Sequence, residues 1–173
     1  MVDAGEIPFV AAEDVHAPDA VALLRAYAEE IDRRAAARNT GHRSAGSTLE
    51  PAETTLVPPD GVFLVARAAG RIVGCVGLRR LEATTGEIKR MYVPPDERGR
   101  GVSRLLLAAV EAEARRRGLT VLRLDTRGDL VEAQALYRSA GYREIPRYNR
   151  NPYAEHWFEK PLGPSTEPGS DGS

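Results

Sequence analysis

The chain has 173 residues, enough for one domain with a substantial core and no disulfide support. Its 24 basic and 25 acidic residues give a formal net charge of −1, and only 6% of residues are aromatic, which argues against a protein built to coat nucleic acid or anionic lipid. A single cysteine, Cys75, excludes an intrachain disulfide; with no signal-peptide pattern and no membrane-length apolar run, the expected location is the cytoplasm.

In chain order, residues 7–11 read as a short first strand. Pro18 opens a helix with Asp19 in its first turn, and Val21, Leu24, Ala28 and Ile31 recur at helical spacing as its buried face. Residues 38–60 are polar and carry three prolines; a stretch that long predicts a short helix or a substrate-side flap. Residues 61–68 and 71–81 form a hairpin across Ala69-Gly70, with Cys75 packed in the apolar second strand, and 87–93 form a third strand. A proline-marked turn follows, then the basic loop Arg98-Gly99-Arg100-Gly101. It opens directly into a helix whose apolar face is Val102, Leu105, Leu106, Ala109 and Val110, closed near Gly118. A strand over 120–125, a helix over 130–140 closed by Gly141, and two strands over 142–145 and 156–160 complete the pattern. This order predicts an α+β (or α/β) mixed sheet with helices packed on it, one domain over 1–162, and a disordered tail over 163–173.

The basic loop carries the most information. The first turn of a helix presents unpaired N–H groups and a positive dipole end, which suit a phosphate or pyrophosphate. Gly99 and Gly101 allow close approach to the backbone, and Arg98 and Arg100 add positive charge. The loop lacks the Lys-Ser/Thr of a Walker loop and the third glycine of a dinucleotide fingerprint.

This array resembles the cofactor-binding core of the GNAT superfamily of acyl-CoA-dependent N-acyltransferases, whose signature is Arg/Gln-x-x-Gly-x-Gly/Ala. Arg98, Gly101 and Ser103 fall on its fixed positions, with Ser103 where Gly or Ala is usual. Leu136-Tyr137-Arg-Ser-Ala-Gly141-Tyr142 resembles the family's later Leu-Tyr-x-x-x-Gly-Phe/Tyr element. The resemblance implies a central mixed sheet, splayed near its middle, with acetyl-CoA entering between the third strand and the strand at Val121. It implies that main-chain groups of Met91 and Val93, with Tyr92 between them, hold the pantetheine arm. Amides from Arg98 through Gly99, Arg100, Gly101 and Val102 to Ser103 would cradle the pyrophosphate.

Transfer of an acetyl group to an amine needs the amine deprotonated, yet at neutral pH only about one lysine-like amine in 10³ is. By resemblance, Glu87 occupies the place of a general base; the residue chemistry alone leaves it equally as a strand carboxylate paired with Lys89 or Arg90. Tyr137 resembles the family's general acid for the departing thiolate. Leu130 stands where many members have an asparagine, and Asp129 beside it reads as a helix cap. Residues 38–60 and 147–153 are expected to hold the substrate determinants: Tyr148 and Tyr153 as walls, Arg147, Arg150 and Arg79 for a carboxylate. His42 and His156 have no metal-ligand spacing, and no metal is expected.

The expected activity is direct transfer from acetyl-CoA to a primary amine of a small molecule or a protein in a ternary complex, without an acyl-enzyme. Nucleic acid and membrane are not expected partners, and a homodimer through the last strands is compatible with the pattern. The alternatives are a longer acyl donor, or a non-catalytic acyl-CoA-binding sensor or scaffold.

Overall fold

The protein is seen in a computed structural model that describes residues 6–38 and 52–164. Strands β1 (Phe9–Ala12), β2 (Gly61–Ala68), β3 (Arg71–Arg80) and β4 (Thr85–Tyr92) form an antiparallel run. Strand β5 (Val121–Thr126) joins β4 in parallel, and β7 (His156–Pro161) and β6 (Arg143–Ile145) continue antiparallel, giving the order β1-β2-β3-β4-β5-β7-β6. Four α-helices accompany the sheet among the described residues: α1 (Pro18–Ala37), the short α2 (Ala52–Thr55), α3 (Val102–Arg116) and α4 (Val131–Ser139). The mixed α+β sheet is the expected one. Part of the 38–60 stretch is the short helix α2 and the turn that follows it; residues 39–51, with His42, and most of the tail lie outside the described residues. No described helix is long and apolar enough to cross a membrane.

Alternation along β2 sends its side chains to two cores. Val62, Leu64 and Ala66 pack with Leu106, Val110 and Ala114 of α3 and Tyr137 of α4. Phe63 and Val65 pack with Cys75, Leu56, and Ala20 and Leu23 of α1.

Two helix faces differ from the expected ones for the same reason. Helix α1 buries Ala20, Leu23, Glu30, Ile31 and Ala35, leaving Val21 40% exposed. Helix α3 buries Leu107 rather than Leu105, together with Glu111. In each case a carboxylate is turned inward. Glu30 meets Arg98 and Arg34, while Glu111 accepts from Lys160 Nζ and the Tyr142 hydroxyl, all near 3.0 Å. A buried carboxylate survives only with such partners.

Three local features open the sheet for a ligand. First, β4 pairs with β5 only from Thr85 to Glu87, against Val121 to Arg123; beyond that the strands part. Second, between the pairs Cys75–Tyr92 and Gly77–Lys89, β4 holds one residue more than β3, and Arg90 there has φ 55°. This β-bulge breaks the alternation of Glu87, Lys89 and Met91. The Cys75 thiol donates to the Arg90 carbonyl at 3.3 Å; burial pushes that thiol up to about 12, so it stays protonated. Third, a Cβ on Gly74 would lie 2.9 Å from the Leu106 side chain, 3.0 Å from that of Val102 and 3.1 Å from the Tyr92 carbonyl, so glycine lets the start of α3 rest closely on β3.

Candidate functional site

Two cavities, of about 330 and 420 Å³, meet along the opened edge of β4. Tyr27, Ile31, Met91, Leu130 and Ala133 line both, so they form one continuous cleft.

The smaller cavity is floored by the basic loop. Met91, Tyr92, Val93, Arg98, Gly99, Gly101, Val102 and Ser103 all line it. Gly99 and Gly101 have φ of 76° and 78°, and a Cβ on either would meet nothing within 4 Å. Left-handed backbone, not crowding, is therefore what requires glycine at both positions. Gly101 begins α3 with no side-chain cap and no acidic residue in the first turn, leaving those amides available to an anion. A phosphorylated ligand fits this cradle.

The two arginines of the loop do different things. Arg100 is exposed and pairs with Glu97 at 3.2 Å. Arg98 lines the cavity and is also held in place: its Nε donates to the Val93 carbonyl at 2.9 Å, and its Nη2 to both Glu30 oxygens at 2.9 and 2.8 Å. Burial pushes the Glu30 carboxyl up, but Arg98 and Arg34 outweigh it and hold the group below its usual range. Arg98 thus braces the end of β4, the loop and α1 together.

The larger cavity lies where β4 and β5 part. Ile88 to Met91 form one side, Leu124 to Arg127 the other, and residues 149–154 close the mouth. Tyr137 forms part of its wall while packing at 5.8 Å against Tyr142 and 6.2 Å against Phe158. Burial pushes its phenol well above the ordinary value of 10.0, so it is protonated at any working pH.

Glu87 is fully buried and is not among the lining residues. It accepts from Arg79 Nε at 2.7 Å and the Tyr148 hydroxyl at 2.9 Å, with Lys89 Nζ at 3.2 Å. Burial raises its pKa, but the charges of Lys89 and Arg79 prevail and lower it. Of the two roles open to Glu87, this geometry is that of the ion-paired carboxylate.

The carboxylate that does line the cavity is Asp125, at the end of β5. Asn149 and Asn151 both donate to it, the latter at 2.9 Å, and Lys89 Nζ lies 3.8 Å away. Sequence reading missed it, although it is the lone acid of a strand that ends at the opening. Among the expected acceptor residues, Tyr153, Arg79 and Arg150 line the cavity. Tyr148 instead supports Glu87, and Arg147 donates to the Asn149 carbonyl at 2.6 Å and stacks over Trp157, away from the lining. Asp129 does not cap α4; it pairs with Arg127 at 2.9 Å.

Comparison with known proteins gives concordant matches. The profile of the Acetyltransferase (GNAT) family matches residues 22–142. An IAA acetyltransferase of Azospirillum brasilense is 39% identical over 129 residues, spanning 66% of this chain and 81% of that protein. An aminoglycoside N(6')-acetyltransferase type 1 of Stenotrophomonas maltophilia is 34% identical over 130 residues, spanning 70% and 80%. The crystal structure of a proposed acyl-CoA N-acyltransferase from Klebsiella pneumoniae superposes with a TM-score of 0.72 at 29% identity, covering 91% of this chain and 99% of that one.

Proposed function

Because the chain belongs to the GNAT family of acetyltransferases, enzymes that use acetyl-CoA, we propose that it transfers the acetyl group directly to the primary amine of a small molecule inside the larger cavity. The observation that carries this reading is the junction of the two cavities at Met91: the uncapped start of α3 lies at one end and the Tyr137 wall at the other. The diphosphate of acetyl-CoA fits the amides from Gly99 to Ser103. The pantetheine arm then follows Val93 to Met91, and the thioester reaches the parted strands.

In this reading Tyr137 hands its proton to the departing thiolate. The same burial that makes the phenol a weaker acid would make a thiolate held beside it a stronger base, which keeps the proton transfer feasible. Asp125 receives the incoming ammonium, which loses its proton to that carboxylate or to water beside it. Glu87 sets the positions of Arg79 and Lys89 rather than taking the proton. The buried thiol of Cys75, engaged with Arg90, is not a nucleophile, so no acyl-enzyme forms.

The relatives named for aminoglycoside and IAA acetylation support a small acceptor. The test is thiol release from acetyl-CoA with a panel of primary amines, with mass analysis of the products. Thiol and N-acetylated amine should appear in equal amounts, and neither without an amine. Tight acetyl-CoA binding without transfer to any amine would instead mark a sensor module. A second expectation concerns the brace. Glu30→Gln should weaken acetyl-CoA binding by about 3- to 10-fold by calorimetry, since one of two charge-assisted contacts to Arg98 weakens. Unchanged affinity would show that the brace does not shape the loop.

A further inference from the structure

We infer that Tyr27 is a second catalytic hydroxyl: it donates a hydrogen bond to the carbonyl oxygen of the acetyl thioester, while Tyr137 serves the sulfur. The inference rests on the transferase reading above and adds a residue to its chemistry. That reading puts the thioester where the two cavities join. Of the five residues that line both, Ile31, Met91, Leu130 and Ala133 are apolar. Among the described residues, the phenol of Tyr27 is therefore the one side-chain donor at the junction.

The hydroxyl is free to meet a ligand. It has no hydrogen-bond partner among the described residues, yet no fully buried side-chain oxygen there is left unpaired, so it opens onto the cleft. Burial pushes its phenol up, which keeps the proton on the oxygen and makes it a donor. The charged groups that act on it lie at the bulge (Arg90) and at the end of β5 (Asp125 and Arg127), so it projects to where the strands part. Burial first, and Tyr27 next, raise the phenol of Tyr137; the two hydroxyls thus face one space. The ring is held from the cofactor side. It packs on Tyr92 with centroids 5.4 Å apart, the Arg98 guanidinium lies 5.9 Å over Tyr92, and Arg98 grips Glu30, one turn beyond Tyr27 on α1. The brace that shapes the diphosphate loop also fixes Tyr27.

The step balances without a further proton. Once the ammonium has lost its proton to Asp125 or water, the amine nitrogen bonds to the thioester carbon and the carbonyl electron pair moves to oxygen. Its return breaks the C–S bond, and the thiolate takes the proton of Tyr137. Tyr27 keeps its own proton throughout. A hydrogen bond to the oxygen strengthens as negative charge develops there, and the apolar junction strengthens it more, so it favours the transition state over bound thioester.

Infrared difference spectra of bound acetyl-CoA, isotope-labelled at the acetyl carbonyl carbon, test this without any acceptor. The thioester carbonyl band should lie at lower frequency on wild type than on Tyr27→Phe, a variant that keeps the ring on Tyr92. With an amine that the wild type acetylates, Tyr27→Phe should lose about 10²-fold in kcat, as for one oxyanion donor, with the KM values for acetyl-CoA and amine nearly unchanged. Acetyl-CoA binding by calorimetry reports that the variant is folded. A carbonyl band at the same frequency in both proteins, or a loss confined to the KM of the amine, overturns the inference and leaves the transferase reading standing. No transfer by the wild type to any amine, with acetyl-CoA bound, overturns both.

Discussion

Replacing Tyr137 by Phe should lower kcat by about 10²- to 10³-fold, within the usual range for a positioned general acid, and leave the KM for acetyl-CoA nearly unchanged. The substitution removes one oxygen and keeps the ring that packs against Tyr142 and Phe158. Stability should accordingly move by no more than about 1 kcal/mol. Because burial raises the phenol above its ordinary value, wild-type turnover should not decline between pH 7 and about pH 9 through loss of this proton. A Phe variant that turns over at the wild-type rate across that range would remove the general-acid role.

The second large effect is on stability. Glu87→Gln leaves Arg79 and Lys89 facing each other without the carboxylate that holds them at 2.7 and 3.2 Å. Breaking a buried pair from one side costs about 3–5 kcal/mol; here the two cations are about one-fifth exposed, which places the loss near 3 kcal/mol. For a chain of this length that is a fall in Tm of roughly 6–12 °C. The pH dependence has a definite sign. The folded pKa lies below the ordinary 4.5, so the stabilisation is complete above that value and disappears as pH falls through the folded pKa. The difference in Tm between wild type and variant should thus be full at pH 7 and close only as the pH falls through the lowered folded pKa of Glu87. Turnover should fall less than about 10-fold, through misplacement of the cavity cations. If Glu87 were the base, kcat would drop by about 10²-fold or more on top of the loss of stability.

Local chemistry made some parts of this protein legible from sequence and left others hidden. The strand-to-helix loop was readable because its requirements are local: left-handed glycines at 99 and 101 and a helix start free of a side-chain cap. The hairpin and the order of elements were readable for the same reason. Helix α1 was read one face out, since periodicity counts every glutamate as solvent-facing and Glu30 belongs to an ion pair with Arg98, 68 residues away. The bulge at Arg90 is invisible to alternation, yet it determines where β4 turns from sheet to ligand. The acceptor side was the least legible. Tyr148 meets Glu87 across 61 residues, and Asn149 meets Asp125 across 24, so neither partnership leaves a spacing to recognise. Tyr148, expected as a wall, supports Glu87; Arg147, expected to receive a carboxylate, stacks over Trp157; and Asp125 at the end of β5 is the carboxylate in the cavity lining.

The central claim is that the cleft where β4 and β5 part is the place where thioester and amine meet. A crystal structure with CoA bound tests it most directly. The account predicts the diphosphate on the amides of Gly99 to Ser103, the pantetheine along Met91 and Val93, and the sulfur within hydrogen-bond reach of the Tyr137 hydroxyl. A sulfur lying outside the parted strands, or turned away from Tyr137, would contradict it.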